Sequence, residues 1–300
     1  MDWLKYALVL ASLALAPAAS ASSASEAGYA SGRLEQISAM PSRFVGPRPV
    51  TIWLPPGYRE NPDSRYPVIY MHDGQNLFDP AATDFGEWEV DEAMARLIAE
   101  KKVRPAIIIG VWNTARRFQE YMPQKPVRGD AVATGVDAYA PRPAKDIVSD
   151  AYLRFLVEDL KPHIDGAYRT LSGSADTFIM GSSMGGLISV YAVAEYPQVF
   201  GGAAALSTHW PAGEGAVIDY LSGHLPAPGS HRFYFDHGTE TLDAAYEPYQ
   251  TRMDGVMAAR SYRHGEDWET RKFVGAAHNE TAWRARVGIP LQFLLGANGD

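Results

Sequence analysis

The chain has no cysteine among its 300 residues. This absence excludes disulfide bonds, thiol catalysis, a lipidated cysteine and zinc sites built on cysteine. A domain without disulfides relies on its core, and 46% hydrophobic residues in a chain of this length can bury one large core. The composition therefore favours one α/β domain over two smaller ones.

The sequence also lacks clusters of Lys and Arg. It contains 27 Lys and Arg against 35 Asp and Glu, which gives a formal net charge of −8. Nucleic acids and anionic membrane surfaces bind clustered positive charge. We therefore expect neither as a partner, which leaves small molecules and neutral polymers as ligands.

Long apolar runs are scarce as well. The run YALVLASLALA ends before Pro17 and is shorter than the roughly 20 residues that span a bilayer. Lys5 precedes the run, and Ala-Ser-Ala at 19–21 offers the small residues that a signal peptidase cleaves after. We predict that residues 1–21 are a cleaved signal peptide, so that the mature chain begins near Ser22 and is periplasmic or secreted in a bacterium, with no membrane attachment.

The remaining chain alternates short β-rich runs with longer amphipathic ones. Continuous apolar strands that alternate with helices indicate a mostly parallel sheet with helices on both faces. We expect residues 22–44 to form an N-terminal extension or a first strand, and residues 45–300 to form the α/β domain. The stretch 113–146 has no clear period and is predicted to be a long surface excursion. Candidate strands are PVTIWL, YPVIYM, PAIIIGVW, TFIMG, GGAAALS, RFYFDHG and ETRKFVG, and the last candidate helix is ETAWRARVGIPLQFLL.

A glycine-rich motif separates the predicted strand TFIM from a predicted helix. It reads Gly-Ser-Ser-Met-Gly at 181–185 and matches G-x-S-x-G. Glycines let a strand and a helix approach at a sharp turn, which holds the central serine beside the helix N-terminus. Ser183 is therefore predicted to be a nucleophile; a Gly-rich turn with a solvated serine is the alternative.

A nucleophilic serine needs a histidine base and an acid, which follow it along the chain in this kind of fold. Of the eight histidines, His278 comes just after the last predicted strand, at the sheet edge that also carries the serine. His209 also follows a strand and is expected to line the cleft. Two carboxylates remain open as the acid: Asp243, which we favour because its loop lets a short side chain swing back, and Glu240.

Ester chemistry would also require two N–H donors for an oxyanion. One is expected from Met184, after the nucleophile, and the other from Gln75 in the loop HDGQN. The segment GVWNTARRFQEYMP should border the cleft, where Trp112 and Tyr121 could stack on a sugar or an aromatic acid and Arg116 or Arg117 could bind an anionic group. A packed tryptophan and a solvated arginine are the competing interpretation.

Four ordered motifs, HDGQNLFD, GSSMGG, HGTETLD and AHNETAW, carry a family resemblance. Together they resemble the "putative esterase" family of α/β-hydrolases, which includes esterase D, feruloyl and acetyl xylan esterases and enterobactin esterases. The resemblance implies an α/β-hydrolase fold over residues 45–295, with Ser183 as nucleophile, His278 as base and the Gln75 and Met184 amides as oxyanion hole. The resemblance does not identify the acid, because Thr241 occupies about the position at which the family pattern leads us to expect a carboxylate.

These features predict an exported serine esterase that acts through an acyl-enzyme, on acyl esters of carbohydrates or other small molecules. The mechanism needs no metal and no organic cofactor. Two alternatives stay open: an acyltransferase of the same fold, and a non-catalytic carbohydrate-binding module.

Overall fold

A computed structural model describes residues 31–137 and 139–296. The predicted signal peptide therefore lies outside the described residues. The strands, in chain order, are β1 (Arg33–Met40), β2 (Arg48–Leu54), β3 (Val68–His72), β4 (Ile107–Val111), β5 (Ala131–Val132), β6 (Arg142–Pro143), β7 (Thr177–Ser182), β8 (Gly202–Leu206), β9 (Arg232–His237) and β10 (Trp268–Lys272).

Nine α-helices connect and cover these strands within the described residues. They are α1 (Val90–Ala99), α2 (Arg117–Tyr121), α3 (Ser149–Arg154), α4 (Lys161–Ala167), α5 (Met184–Glu195), α6 (Ala216–His224), α7 (Glu247–Ala259), α8 (Glu280–Arg284) and α9 (Gly288–Leu295). A π-helical stretch, Phe155–Leu160, joins α3 to α4. None of the helices in the described part of the chain is both long and apolar enough to cross a membrane.

Eight strands form one sheet in the order β1-β2-β4-β3-β7-β8-β9-β10. β2 runs antiparallel to both β1 and β4, and all other neighbours are parallel. The predicted fold class, a mostly parallel central sheet surrounded by helices, is confirmed. The carboxyl ends of β3, β7, β8, β9 and β10 consequently meet at one edge, which we call the active edge.

The two faces of the sheet bury separate cores. In β3, Val68 and Tyr70 belong to one core, while Ile69 and Met71 belong to the other. This division follows from the two-residue period of a strand, which sends successive side chains to opposite faces. Residues of α3, α5, α6 and α7 fill the first core and residues of α1 and α9 fill the second. A sheet buried on both faces explains why the strands read as continuous apolar runs.

The structure differs from the sequence-based expectation in two segments. The last predicted helix is two helices, α8 and α9, because Pro290 fits the first turn of a new helix but would break a continuous one. The excursion 113–146 contains α2 and the β5-β6 pair. Its Tyr121 and Met122 are fully buried, so part of this segment belongs to the core.

Candidate active site

Ser183 occupies the turn between β7 and α5. Its backbone has φ 56° and ψ −122°, a strained conformation for a residue with a side chain. A Cβ on Gly181 would lie 2.8 Å from the Gly185 carbonyl carbon, so only glycine allows the strand to enter the helix this sharply. The Ser183 N–H donates to the Leu206 carbonyl at 2.9 Å, which ties the turn to the end of β8.

His278 lies between β10 and α8 and pairs with Asp243. Its Nδ1 is 2.5 Å from Oδ1 of Asp243, which sits in the 3₁₀ turn Thr241–Ala245 after β9. The Thr241 hydroxyl accepts the His278 backbone N–H at 2.8 Å and so fixes the histidine loop. The Glu240 side chain is exposed and makes no capping hydrogen bond. Of the two candidate acids, the structure therefore brings Asp243, and not Glu240, to the histidine.

The Asp243 carboxylate is buried and receives donors on both oxygens. Besides His278 at Oδ1, Oδ2 accepts the Ser207 hydroxyl at 2.6 Å and the Gly238 N–H at 2.5 Å. Burial alone would raise the pKa of Asp243, but the hydrogen bonds from His278 and Ser207 hold it below its ordinary value. The carboxylate is thus ionised at neutral pH, as a group that orients an imidazole must be.

The Ser183 and His278 side chains share the active edge. Within residues 31–137 and 139–296, no hydrogen bond joins them; the His278 ring is bonded through Nδ1 to Asp243. The Tyr246 ring stands edge-on to the His278 ring at 5.6 Å between centroids. Such serine–histidine bonds are often long in free enzymes and tighten with substrate.

His209 is buried beside Ser183, and both of its ring nitrogens have a hydrogen-bond partner. Its Nε2 lies 2.7 Å from the Thr134 carbonyl and its Nδ1 contacts the Tyr246 hydroxyl. Burial lowers the pKa of His209 to about 4, so the ring is neutral and carries one proton. A carbonyl only accepts, so that proton is on Nε2 and Tyr246 donates to Nδ1. His209, predicted to bind substrate, thus has no ring nitrogen free for one.

The other predicted substrate-binding residues lie away from Ser183. The Trp112 indole donates to Thr51 on β2 at 3.0 Å, on the side of β4 that faces away from β7. Arg116 is exposed and lines a separate cavity with Phe44 and Val148. The described contacts therefore bring neither residue to the serine.

Arg117, the neighbour of Arg116, reaches the loop after β3. Its guanidinium donates to both oxygens of Asp73, at 2.8 and 2.7 Å, and Asn113 donates to the same carboxylate at 2.6 Å. Burial would raise the pKa of Asp73, yet the charge of Arg117 holds it below its ordinary value. This ion pair clamps the loop that carries Gln75.

The two predicted oxyanion donors flank the contact between this loop and the start of α5. A Cβ on Gly185 would lie 3.2 Å from the His72 Cβ and 3.4 Å from Oδ2 of Asp73, so loop and helix are in close contact. Met184 is the first residue of α5, and neither its N–H nor that of Gln75 has an acceptor among the described residues. Both groups remain free to bind a developing negative charge.

A cavity of about 800 Å³ opens beside Tyr246. Its walls come from the excursion and from the turn that holds Asp243; they include Val136, Tyr139, Pro141, Leu242 and Tyr249. Another cavity, of about 700 Å³, lies at the opposite edge of the sheet near Arg232, at the start of β9. Of these two cavities, the one beside Tyr246 adjoins the active edge, and its walls are largely apolar and aromatic.

Sequence reasoning missed four residues of this edge: Ser207, Tyr246, Thr241 as an anchor of His278, and Arg117 as the clamp on Asp73. Ser207 had a signal, because it follows β8 directly and the carboxyl ends of parallel strands meet at one edge. Arg117 was a candidate to bind an anionic group, but nothing in the sequence indicated that its partner is Asp73, and Tyr246 carried no signal.

The fold and this edge define the α/β-hydrolase class, with a serine at the strand-to-helix turn and a histidine paired with a buried aspartate. Residues 42–289 match the family described as "Putative esterase", and the chain belongs to that family. The protein is therefore an esterase, an enzyme that hydrolyses carboxylic esters.

Three proteins that this chain resembles share 17 to 24% of its residues in the aligned regions. The uncharacterized protein YbbA of Bacillus subtilis (strain 168) is 24% identical over 197 residues, covering 65% of this chain and 70% of YbbA. A ferulic acid esterase of Anaeromyces mucronatus superimposes with a TM-score of 0.65 at 18% identity, covering 90% of this chain and 92% of that one. The enterobactin esterase of Shigella flexneri superimposes with a TM-score of 0.63 at 17% identity, covering 88% of this chain and 59% of the enterobactin esterase chain. At these identities, the structural similarity shows a shared fold and nothing finer.

Proposed function

We propose that the protein is an exported serine esterase that acts through an acyl-enzyme, with Ser183 as nucleophile, His278 as base and Asp243 as the orienting acid. The observation that carries the proposal is the 2.5 Å contact between the buried Asp243 carboxylate and His278, at the edge that carries the strained Ser183 turn. A carboxylate on Nδ1 keeps the proton there and leaves Nε2 free to accept the serine proton.

The reaction follows from these roles. The Ser183 oxygen attacks the acyl carbon while its proton passes to Nε2 of His278, and the N–H groups of Met184 and Gln75 stabilise the oxyanion. The intermediate collapses, and the imidazolium returns that proton to the departing alcohol. Water then attacks the acyl-enzyme and gives a proton to His278, which passes it to the Ser183 oxygen as the carboxylic acid leaves.

For the substrate, we propose an acyl ester carried on a carbohydrate, bound in the 800 Å³ cavity beside Tyr246. Its tyrosines offer flat faces for stacking on a sugar or an aromatic acyl group, and hydroxyls for hydrogen bonds. The likeness to a ferulic acid esterase solved in complex with ferulic acid is consistent with an aromatic acyl group in such a cleft.

A panel of esters tests this function. We expect hydrolysis of simple aryl acetates, and a higher kcat/KM for a feruloyl sugar or an acetylated sugar than for methyl ferulate. Tyr139→Ala should raise KM for the feruloyl sugar about 3- to 10-fold, because it removes an exposed stacking face from the cavity wall. If the enzyme hydrolyses only a siderophore ester, or if sugar and methyl esters react equally, the proposed substrate class is wrong.

Export is proposed from the first 21 residues. The mature chain purified from its native bacterium should begin at or near Ser22, because Ala-Ser-Ala at 19–21 presents a cleavage site. Intact-mass measurement of the periplasmic and culture fractions checks this. A full-length mass with Met1 retained would contradict export by cleavage.

A further inference from the structure

A buried polar network lies behind Asp243 and centres on Ser207. Ser207 follows β8 directly, has φ 42° and is fully buried. Its hydroxyl oxygen contacts three groups: Nη2 of Arg286 at 2.9 Å, the Trp283 indole nitrogen at 3.0 Å and Oδ2 of Asp243 at 2.6 Å. Ser207 therefore links the segment around α8 to the acid.

The chemistry of these groups fixes the direction of the Ser207 proton. A guanidinium and an indole N–H are donors only, so both donate to the serine oxygen and occupy its two lone pairs. A carboxylate only accepts, and its Oδ2 is the third partner. The single hydroxyl proton must therefore point at Asp243.

The positive charge behind this serine is itself held in place. Arg286, 3% exposed, donates from Nε and Nη2 to the two oxygens of the buried Asp236, at 3.1 and 2.9 Å. A guanidinium on the serine oxygen polarises the O–H bond and strengthens the hydrogen bond that the hydroxyl donates onward. The Asp236–Arg286 pair thus acts on Asp243 through Ser207.

We propose that Ser207 is a positioning residue for the reaction: its hydroxyl, fixed by Arg286 and Trp283, holds the Asp243 carboxylate so that one oxygen is presented to His278. Together with the Gly238 N–H, the hydroxyl saturates Oδ2 and leaves Oδ1 for the imidazole. This inference rests on the proposed function, because it assigns Asp243 as the orienting acid.

Ser207→Ala tests the proposal. A hydrogen bond to a charged group is lost, so kcat on an aryl acetate should fall about 10- to 100-fold with little change in KM. The Ser207 hydroxyl helps to hold the pKa of Asp243 below its ordinary value, so its loss should raise that pKa. A protonated Asp243 cannot orient the imidazole, so the acidic limb of kcat/KM should move to higher pH.

Other charged or titratable groups also face Asp243 and His278. Tyr246 and His209 approach from the loops after β9 and β8, Glu280 approaches from the start of α8, and Arg286 stands behind Ser207 beside Asp236. Ser207→Ala alters none of these side chains. A displaced acidic limb therefore reports the lost hydroxyl donor.

Ser189→Ala is the matched control. Ser189 is equally buried and donates to the Gly185 carbonyl at 2.7 Å, without touching the acid or the base. It should lose a comparable amount of thermal stability and keep the wild-type pH profile. Should Ser207→Ala fold poorly, Ser207→Cys keeps a weak donor of similar size, and we expect an intermediate kcat with a smaller displacement of the limb.

A Ser207 variant, Ala or Cys, that matches Ser189→Ala in both kcat and pH profile would overturn the positioning role and leave the proposed function intact. Retention of activity in Ser183→Ala would instead overturn the proposed function itself. Because the two results concern different variants, the two failures can be told apart.

Discussion

Ser183→Ala should lose hydrolysis of aryl acetates by a factor on the order of 10⁶, as expected when a nucleophile that acts with a base and an acid is removed. The side chain sits at the centre of the strained turn, and no other serine of residues 31–137 and 139–296 has that position. Rapid-quench mass spectrometry should find one acetyl group on the peptide that contains Ser183 in the wild type and none in the variant. The thermal unfolding midpoint should stay close to the wild-type value.

Ser182→Ala is the matched control, because this serine is the immediate neighbour and belongs to β7. It is buried and its backbone pairs with Leu206, so its side chain does not share the outward position at the turn. We expect most of the activity to remain. Equal losses in the two variants, or an acetyl group that persists in Ser183→Ala, would refute Ser183 as the nucleophile.

Asp243→Asn should lower kcat at neutral pH on the order of 10⁴-fold. Asparagine fills the same space, but its amide N–H₂ cannot accept the proton of Nδ1, and its oxygen carries no charge to stabilise the imidazolium. The pKa of Asp243 lies below its ordinary value because hydrogen bonds outweigh burial, so the wild-type carboxylate stays charged across the neutral range and loses its charge only at acid pH. Steady-state kinetics from pH 5 to 9 measure the difference.

Glu240→Gln provides the comparison for the acid. Its carboxylate is exposed and three residues before Asp243, so its loss should change kcat less than 2-fold. Both variants remove one negative charge from the segment after β9 and therefore share any long-range electrostatic effect. If Glu240→Gln lost most of its kcat and Asp243→Asn kept it, Glu240 would be the acid that orients His278.

The sequence by itself determined the parts of this protein that depend on local order. Alternating apolar strands and helices predicted the mostly parallel sheet because a strand buried on both faces must be apolar throughout. The turn around Ser183 could be predicted from its glycines. A side chain at Gly181 would collide with the backbone of the following helix, so the sharp turn requires glycine there. The position of His278 after the last strand placed it at the same edge as the serine.

Only the tertiary structure decided between residues that the sequence presents as equals. Glu240 and Asp243 share one loop, and the 3₁₀ turn after Glu240 buries the second carboxylate and exposes the first. Arg116 and Arg117 are adjacent, but Arg116 precedes α2 and is exposed, whereas Arg117 is the first residue of α2 and donates to Asp73.

The roles of His209 and Ser207 are likewise set by contacts from far along the chain. Thr134 and Tyr246, 75 and 37 positions away, fill the two nitrogens of His209. Arg286, 79 positions from Ser207, turns the serine hydroxyl toward Asp243. Hydrogen-bond direction depends on which donors and acceptors the folded chain brings together, and no local pattern carries that information.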